Sequence, residues 1–175
     1  MHNDSDIKIA GNFPSKEIKK NNLAHLSQVN SEIIKRGTAI GLTIAEEYIK
    51  AIEEQGPGAG EGTEDMLLQR QILLSFSALS GFEEFIKDSD CATAAKTAFI
   101  DYLKKTNPEF YKGATDNGAL SFYYLAYRRK SEVERRVGQT FAMLCSHDGD
   151  PVYQELGEAL YCWFTSKVKK AEEKL

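Results

Sequence analysis

The sequence has little histidine, cysteine or proline, and it has no long apolar run. Its 175 residues include three histidines, three cysteines and four prolines. A membrane-spanning helix needs about 18 or more consecutive apolar residues, and no such stretch occurs. The first residues are polar and acidic, without the basic and then apolar order of a secretory signal, so we expect a cytoplasmic protein.

These shortages exclude several catalytic and metal-binding motifs. His2, His25 and His147 all lack a glutamate three residues before them, so the Glu-x-x-His motif of di-iron bundles is absent. No His-Glu-x-x-His zinc motif, no Cys-x-x-Cys pair and no Gly-x-Ser-x-Gly turn occurs either. We therefore predict no cofactor, and the chain offers no sequence sign of an enzyme.

One short segment combines four potential metal ligands, namely Cys145, His147, Asp148 and Asp150. Asp148-Gly149 is also typical of a turn, and Asp150 before Pro151 is typical of a helix N-cap. We favour the turn interpretation and keep His147 and Asp148 only as weak metal candidates.

Composition places the chain among ordinary globular proteins. Hydrophobic residues make up 42% and charged residues 27% of it, and the net charge is −4. A chain of this size can bury ~70% of its unfolded surface in one domain. Its acidic balance gives no general attraction to nucleic acid or to an anionic membrane, so we predict neither as a partner.

Apolar residues recur at helical spacing and nowhere alternate as in a strand. The first such stripe is Ile33, Ile40, Ile44, Tyr48 and Ile52, and four more follow, among them one that contains Leu68 and one that starts at Val152. The pattern predicts an all-α, single-domain helical bundle of about five to seven helices with no sheet.

Helix starts are signalled by short polar residues. Thr63, Asn107 before Pro108, and Asp150 before Pro151 are predicted N-caps. We also expect Asp90 to cap a helix from Cys91, and Asp116 or Asn117 to cap one from Gly118.

Glycines mark a predicted loop at residues 55–63, and a second pair, Gly37 and Gly41, allows two interpretations. Residues 55–63, QGPGAGEGT, predict a flexible glycine-rich loop, and its acidic flanks argue against a phosphate site. Residues 1–13 are predicted to be a flexible segment ahead of the helical domain at 14–175. Gly37 and Gly41 either allow close helix packing or separate two helices.

The stretch from Ser121 to Arg136, SFYYLAYRRKSEVERR, is the most unusual part of this acidic chain. On one continuous helix, Arg128 and Glu132 lie four residues apart, and so do Lys130 and Glu134. Such pairs neutralise one another on a wet surface, each contributing ~0.3–0.5 kcal/mol.

Two interpretations of this stretch stay open at the level of sequence. If the helix continues, Arg129 lies in an apolar stripe with Phe122 and Val133 and needs an acidic or anionic partner. If Ser131 and Glu134 form a capping box, one helix ends near Lys130 and another begins.

The leading hypothesis is a regulatory or protein-interaction module that self-associates, with a homodimer as one form. The alternative is a bundle that binds a small molecule or an anion in a pocket around residues 122–136, either as a binding protein or as an enzyme. Its pocket would be lined by Tyr123, Tyr124, Tyr127, Arg129 and Arg135, because tyrosine supplies apolar area with a polar tip and arginine binds anions.

Overall fold

The computed structural model describes the backbone of residues 16–53, 63–116 and 118–175, with side chains from residue 27 onward except that of residue 116. Seven α-helices and no strand occur within these ranges, which confirms the predicted all-α bundle. The helices are α1 (Lys16–Glu53), α2 (Glu64–Phe85), α3 (Ser89–Thr106), α4 (Pro108–Asp116), α5 (Ala119–Arg128), α6 (Val133–Leu144) and α7 (Pro151–Lys174).

The chain divides into two units, Met1–Glu32 and Ile33–Leu175, and α1 contributes to both. The predicted flexible segment 1–13 and most of the predicted glycine-rich loop, residues 55–62, lie outside the described residues. The single domain at 14–175 stays a prediction. Helices α2 to α7 and the part of α1 from Ile33 onward belong to the second unit.

Helix α2 lies at the centre of this unit, where it packs against α3, α5, α6 and α7. Its buried surface extends around most of its circumference, so its polar residues need partners inside the protein. The Ser77 hydroxyl donates to the carbonyl of Leu73 at 2.8 Å. Arg70 is only 1% exposed, and it donates to the carbonyl of Ala51 in the last turn of α1 at 2.9 Å. The negative end of the helix dipole also stabilises a cation at this position.

Three of the predicted helix starts are confirmed. Thr63 Oγ1 accepts from the Met66 amide at 3.3 Å. Asn107 Oδ1 accepts a hydrogen bond at 3.3 Å one residue before Pro108 opens α4. Asp150 Oδ1 accepts from the Val152 amide at 2.9 Å, ahead of Pro151. Each cap satisfies an amide that the first helical turn leaves without a partner.

Two predicted helix starts are wrong. Asp88, not Asp90, caps α3, and it accepts from the amides of Asp90 and Cys91 at 3.0 and 2.8 Å. Gly118 is the N-cap of α5, so the prediction of Asp116 is wrong, and residue 117, the other predicted cap, lies outside the described residues. Gly118 adopts φ 72°, a left-handed conformation that glycine reaches without the steric cost of a Cβ.

The two glycines of α1 serve close packing, and the helix runs through both of them. A Cβ at Gly37 would overlap the carbonyl oxygen of Cys91, and one at Gly41 would overlap that of Ala95. Helix α1 therefore rests directly on the backbone of α3. Gly138 of α6 meets the Gln154 carbonyl of α7 in the same way.

The residues of the predicted apolar stripes are buried or partly buried, except for two. Leu68 is 37% exposed and Val152 is 71% exposed, although both fit the helical spacing. Val152 lies in the first turn of α7, and Leu68 lies one turn into α2. No helix in the described part of the chain is long and apolar enough to cross a membrane.

Candidate functional site

The unusual stretch 121–136 is divided between two helices. Helix α5 ends at Arg128 and α6 begins at Val133, so the interpretation as one continuous helix is wrong. The turn holds Lys130 and Glu132 in left-handed conformations, at φ 56° and 48°. Glu132 is the N-cap and makes no side-chain capping bond, so the expected capping box at Ser131 does not form.

The helix break also changes the predicted charge pairs. Arg135 Nη1 lies 3.3 Å from Glu132 Oε1, and Arg136 Nε donates to the carbonyl of Ser131 at 2.9 Å. Lys130 places its ammonium 4.1 Å from the centre of the Tyr127 ring instead of on a glutamate. The pairs expected at four-residue spacing across the turn are absent among the described ion pairs.

The three candidate tyrosines pack against the central helix. Tyr123 and Tyr127 are 0% and 6% exposed, and Tyr124 is half-buried. Their rings surround Phe76 of α2, with centroid distances of 5.3 Å for Tyr123, 5.2 Å for Tyr124 and 6.1 Å for Tyr127. Aromatic pairs at these distances contribute to stability beyond the area they bury.

The candidate arginines are placed elsewhere. Arg129 is exposed, and Arg135 has a side chain that is 66% exposed. The structure therefore does not bring the predicted Tyr–Arg pocket together, because the tyrosines face α2 while the arginines face solvent.

A different cleft forms on the outer side of α5 and α6, with a volume of about 270 Å³. We call it the basic cleft. Three of its residues are large and apolar yet exposed: Phe122 at 47%, Leu125 at 59% and Met143 at 41%. It is completed by Ala126, Arg129, Arg136, Gln139, Thr140 and Asp148.

The charges of the basic cleft are largely uncommitted. The side chain of Arg129 makes no ion pair or hydrogen bond within the described residues, and that of Arg136 uses only its Nε. Asp148 is the single acid that lines the cleft, and no ion pair joins it to either arginine. The cleft therefore offers apolar area beside two available guanidinium groups, a combination suited to binding.

The weak metal candidates lie in the turn between α6 and α7. The amide of His147 donates to the Ala142 carbonyl at 2.8 Å and that of Ser146 to the Met143 carbonyl at 3.0 Å, a Schellman ending of α6. The His147 ring stacks on Tyr153 at 3.8 Å. Asp148 faces the basic cleft instead.

Histidine, cysteine and acidic side chains do not gather into a metal-binding group of three or more in the described ranges. Cys145 is buried, and burial, with a smaller contribution from Asp65, raises the pKa of its thiol to about 12. A thiol that stays protonated is a poor metal ligand and a poor nucleophile.

A second cleft, which we call the acidic cleft, lies on the other side of the α5–α6 turn. Its volume is about 490 Å³, and it is lined by Glu83, Glu84, Tyr127, Lys130, Glu132, Val133, Glu134 and Tyr161. The sequence offered only one sign of it, the adjacent pair Glu83-Glu84, which is also typical of a solvated helix face. Its remaining residues come from α5, α6, the turn between them and α7, and only the fold brings them together.

Tyr161 contributes a buried hydroxyl to the acidic cleft. The residue is 3% exposed, and its Oη has no hydrogen-bond partner among the described residues. Burial raises the pKa of this hydroxyl, and Glu84 and Glu134 raise it further. The nearby Ser80 hydroxyl offsets part of this increase, although no hydrogen bond of normal geometry joins it to Tyr161 Oη.

The fold and these two clefts define the chain as an all-α bundle with paired surface clefts of opposite charge. No protein-family model matches the chain, and no curated protein and no solved structure shows significant similarity to it.

Proposed function

We propose that this chain acts by binding, as a protein-interaction module, and that the basic cleft is its contact surface. The observation that carries the proposal is the grouping of three exposed apolar side chains, Phe122, Leu125 and Met143, around two available arginines. Apolar and aromatic anchors beside arginine are the composition of interface centres.

The partner surface that fits this cleft is an acidic amphipathic helix. Its apolar face would cover the exposed side chains, and its carboxylates would pair with Arg129 and Arg136. Nucleic acid is a poor fit because the chain carries a net charge of −4. A cytoplasmic location belongs to the same proposal, and it is supported by three cysteines that are all free.

A second copy of the chain can supply this acidic amphipathic surface. Glu64 and Asp65 open α2 beside the exposed Leu68, and together they line a shallow depression. Asp65 contributes to the raised pKa of Cys145, so its carboxylate lies near the end of α6. If both contacts form in one complex, the pairing is closed and two-fold, and each cleft meets the partner's α2.

Charge reversal tests the proposed pairing by sedimentation velocity at low salt. Arg129→Glu and Glu64→Lys should each weaken self-association by about tenfold or more, because each places like charges together. An equimolar mixture of the two variants should associate again, since both contacts are then complementary. Arg128→Glu, which changes the same charge outside the cleft, is the matched control.

The proposal of self-association fails if the wild-type chain is monomeric at high micromolar concentration. It also fails if Arg128→Glu weakens association as much as Arg129→Glu. A mixture that stays monomeric while wild type associates would place the contact elsewhere on the surface.

The second candidate function, binding of a small anion, is favoured by the two guanidinium groups in a cleft of about 270 Å³. Inorganic phosphate and succinate are suitable probes in a thermal-shift titration. Stabilisation that disappears in Arg129→Ala and persists in Arg128→Ala supports this function. Stabilisation that is equal in both variants contradicts it.

A further inference from the structure

The acidic cleft contains more negative charge than the fold neutralises. Glu83 pairs with Lys96, and Glu132 pairs with Arg135 at 3.3 Å. Glu84 and Glu134 make no ion pair within the part of the chain that the structure describes. Lys130 lines the same cleft and offsets one of these two charges, so the cleft keeps a net negative charge that attracts a cation from solution.

The cleft also has aromatic walls on which an ammonium group can rest. Tyr127 and Tyr161 both line it, and the Lys130 ammonium already lies 4.1 Å from the Tyr127 ring centre. An ammonium at this distance from a ring is attracted by the negative face of the π system. The chain thus places its own alkylammonium group where a ligand of the same chemistry would bind.

The hydroxyl of Tyr161 supplies an independent sign of a missing polar partner. A buried hydroxyl without a hydrogen bond costs about 1–3 kcal/mol, so most native hydroxyls in such positions have a partner. Tyr161 Oη has none among the described residues, and it lies within electrostatic reach of Glu84 and Glu134. An ammonium N–H bound between these carboxylates can donate to the same oxygen.

We propose that the acidic cleft binds an alkylammonium group, held by Glu84 and Glu134, the ring of Tyr127 and the hydroxyl of Tyr161. The volume of about 490 Å³ suits a small aliphatic amine. Lys130 acts as an internal competitor, and the ligand displaces its ammonium from the Tyr127 ring. The group comes either from a free diamine or polyamine or from a lysine side chain of a protein.

A metal ion fits this cleft less well than an amine. Aromatic rings give Ca²⁺ and Mg²⁺ no oxygen ligands, whereas they contribute to ammonium binding. The carboxylates also form no metal-binding group of three within the described ranges. Calcium chloride is therefore a direct test of whether charge alone explains binding.

Calorimetric titration of the full chain with 1,4-diaminobutane at low salt tests the site. Glu84→Gln with Glu134→Gln should weaken binding by about tenfold, because each carboxylate contributes a charge-assisted contact. Lys130→Met should strengthen binding by roughly threefold or more, because the competitor and its charge are removed. The second of these changes is the sharper one, since a variant that merely damages the fold does not bind more tightly.

Matched variants on α7 separate the site from general electrostatics. Glu173→Gln and Lys169→Met change the same charges at exposed positions outside the cleft and should leave the affinity unchanged. Spermidine and Nα-acetyl-lysine methylamide distinguish the two sources of the ligand. Tighter binding of the polyamine indicates a free amine, and equal or tighter binding of the lysine derivative indicates a protein partner.

Three outcomes would overturn the proposal. The first is no saturable binding of any of these amines at low salt. The second is an affinity that the Lys130 and glutamate variants change no more than the α7 controls do. The third is calcium binding with equal affinity and the same dependence on Glu84 and Glu134.

Discussion

The two sides of the α5–α6 turn differ in how their charges are used. On the outer side, Arg129 stands without a partner beside exposed apolar side chains. On the other side, carboxylates surround Tyr161, and the turn itself supplies Lys130 as a counter-charge. One side therefore combines basic charge with exposed apolar area, and the other combines acidic charge with aromatic rings.

This difference has a simple origin in the two helices. A helix presents successive residues about 100° apart, so residues two apart in sequence face nearly opposite sides. Tyr127 faces α2 and the acidic cleft, while Leu125 and Arg129 face the basic cleft. A basic stretch in the sequence thereby becomes two surfaces of opposite character, and the turn at residues 129–132 belongs to both.

The largest expected effect comes from removing the ring of Phe76, which packs beneath both sides of the α5–α6 turn. Phe76 is fully buried and contacts Tyr123, Tyr124, Tyr127 and Tyr161. Phe76→Ala should lower the free energy of unfolding by about 3–5 kcal/mol, because it leaves a cavity under α5. Urea denaturation measures the loss.

Phe122→Ala is the matched control for this prediction. Phe122 is 47% exposed and lines the basic cleft, so its loss should cost about 0.5 kcal/mol or less. Comparable losses for the two variants would mean that Phe76 does not support the turn.

A smaller effect is expected where α6 meets α7. A Cβ at Gly138 would overlap the carbonyl of Gln154, so Gly138→Ala should destabilise the fold by about 1–3 kcal/mol. The resulting shift separates Glu134 from Tyr161, and amine binding should weaken while the basic cleft, built on α5 and α6, is kept. Denaturation and calorimetry of the same variant test both parts.

Gly113→Ala provides the contrast, because a Cβ there meets nothing within 4 Å. This change in α4 should stabilise the chain by about 0.4–1 kcal/mol through a less flexible unfolded state. If both alanine variants behave alike, close packing of α6 on α7 is not the cause.

Alkaline pH should lower the stability of the fold through the two buried tyrosines, Tyr123 and Tyr161. Burial raises the pKa of Tyr123 and of Tyr161, so both stay protonated in the folded chain. In the unfolded chain tyrosine ionises near pH ~10. The stabilisation is therefore complete below pH ~10 and is lost as the pH rises above it, by up to about 1.4 kcal/mol per pH unit for each group.

Replacing either tyrosine by phenylalanine should reduce this alkaline loss, as measured by denaturation across the pH range 7–11 (roughly the window around the unfolded tyrosine pKa). Only Tyr161→Phe should also weaken amine binding, since Tyr123 does not line the acidic cleft. Equal effects of both changes on amine binding would remove the Tyr161 hydroxyl from the site.

The helices were predictable from sequence, and the clefts were not. Apolar spacing and short polar caps act over a few residues, so Thr63 and Asp150 could be assigned their capping roles in advance. The break at residues 129–132 was one of two interpretations that the sequence left open, but its geometry, with a left-handed Glu132 as N-cap in place of Ser131, was not predictable. Tyr161 and Glu84 are far apart in sequence, and only the packing of α7 on α2 makes them neighbours.

The smallest effect concerns a carboxylate that the fold does use. Glu47 of α1 accepts from Lys167 of α7 at 2.7 Å and from Lys50 at 3.1 Å, and these bonds lower the pKa of its carboxyl. The stabilisation is present above the unfolded pKa of ~4.3 and is lost as the pH falls through the lower folded value. Glu47→Gln should therefore cost about 0.5 kcal/mol near neutral pH and nothing at strongly acidic pH. Glu84→Gln should leave the free energy of unfolding unchanged at either pH, because no ion pair in the described chain uses the Glu84 charge. If this variant loses as much stability as Glu47→Gln does, the acidic cleft stabilises the fold and is not free for a ligand.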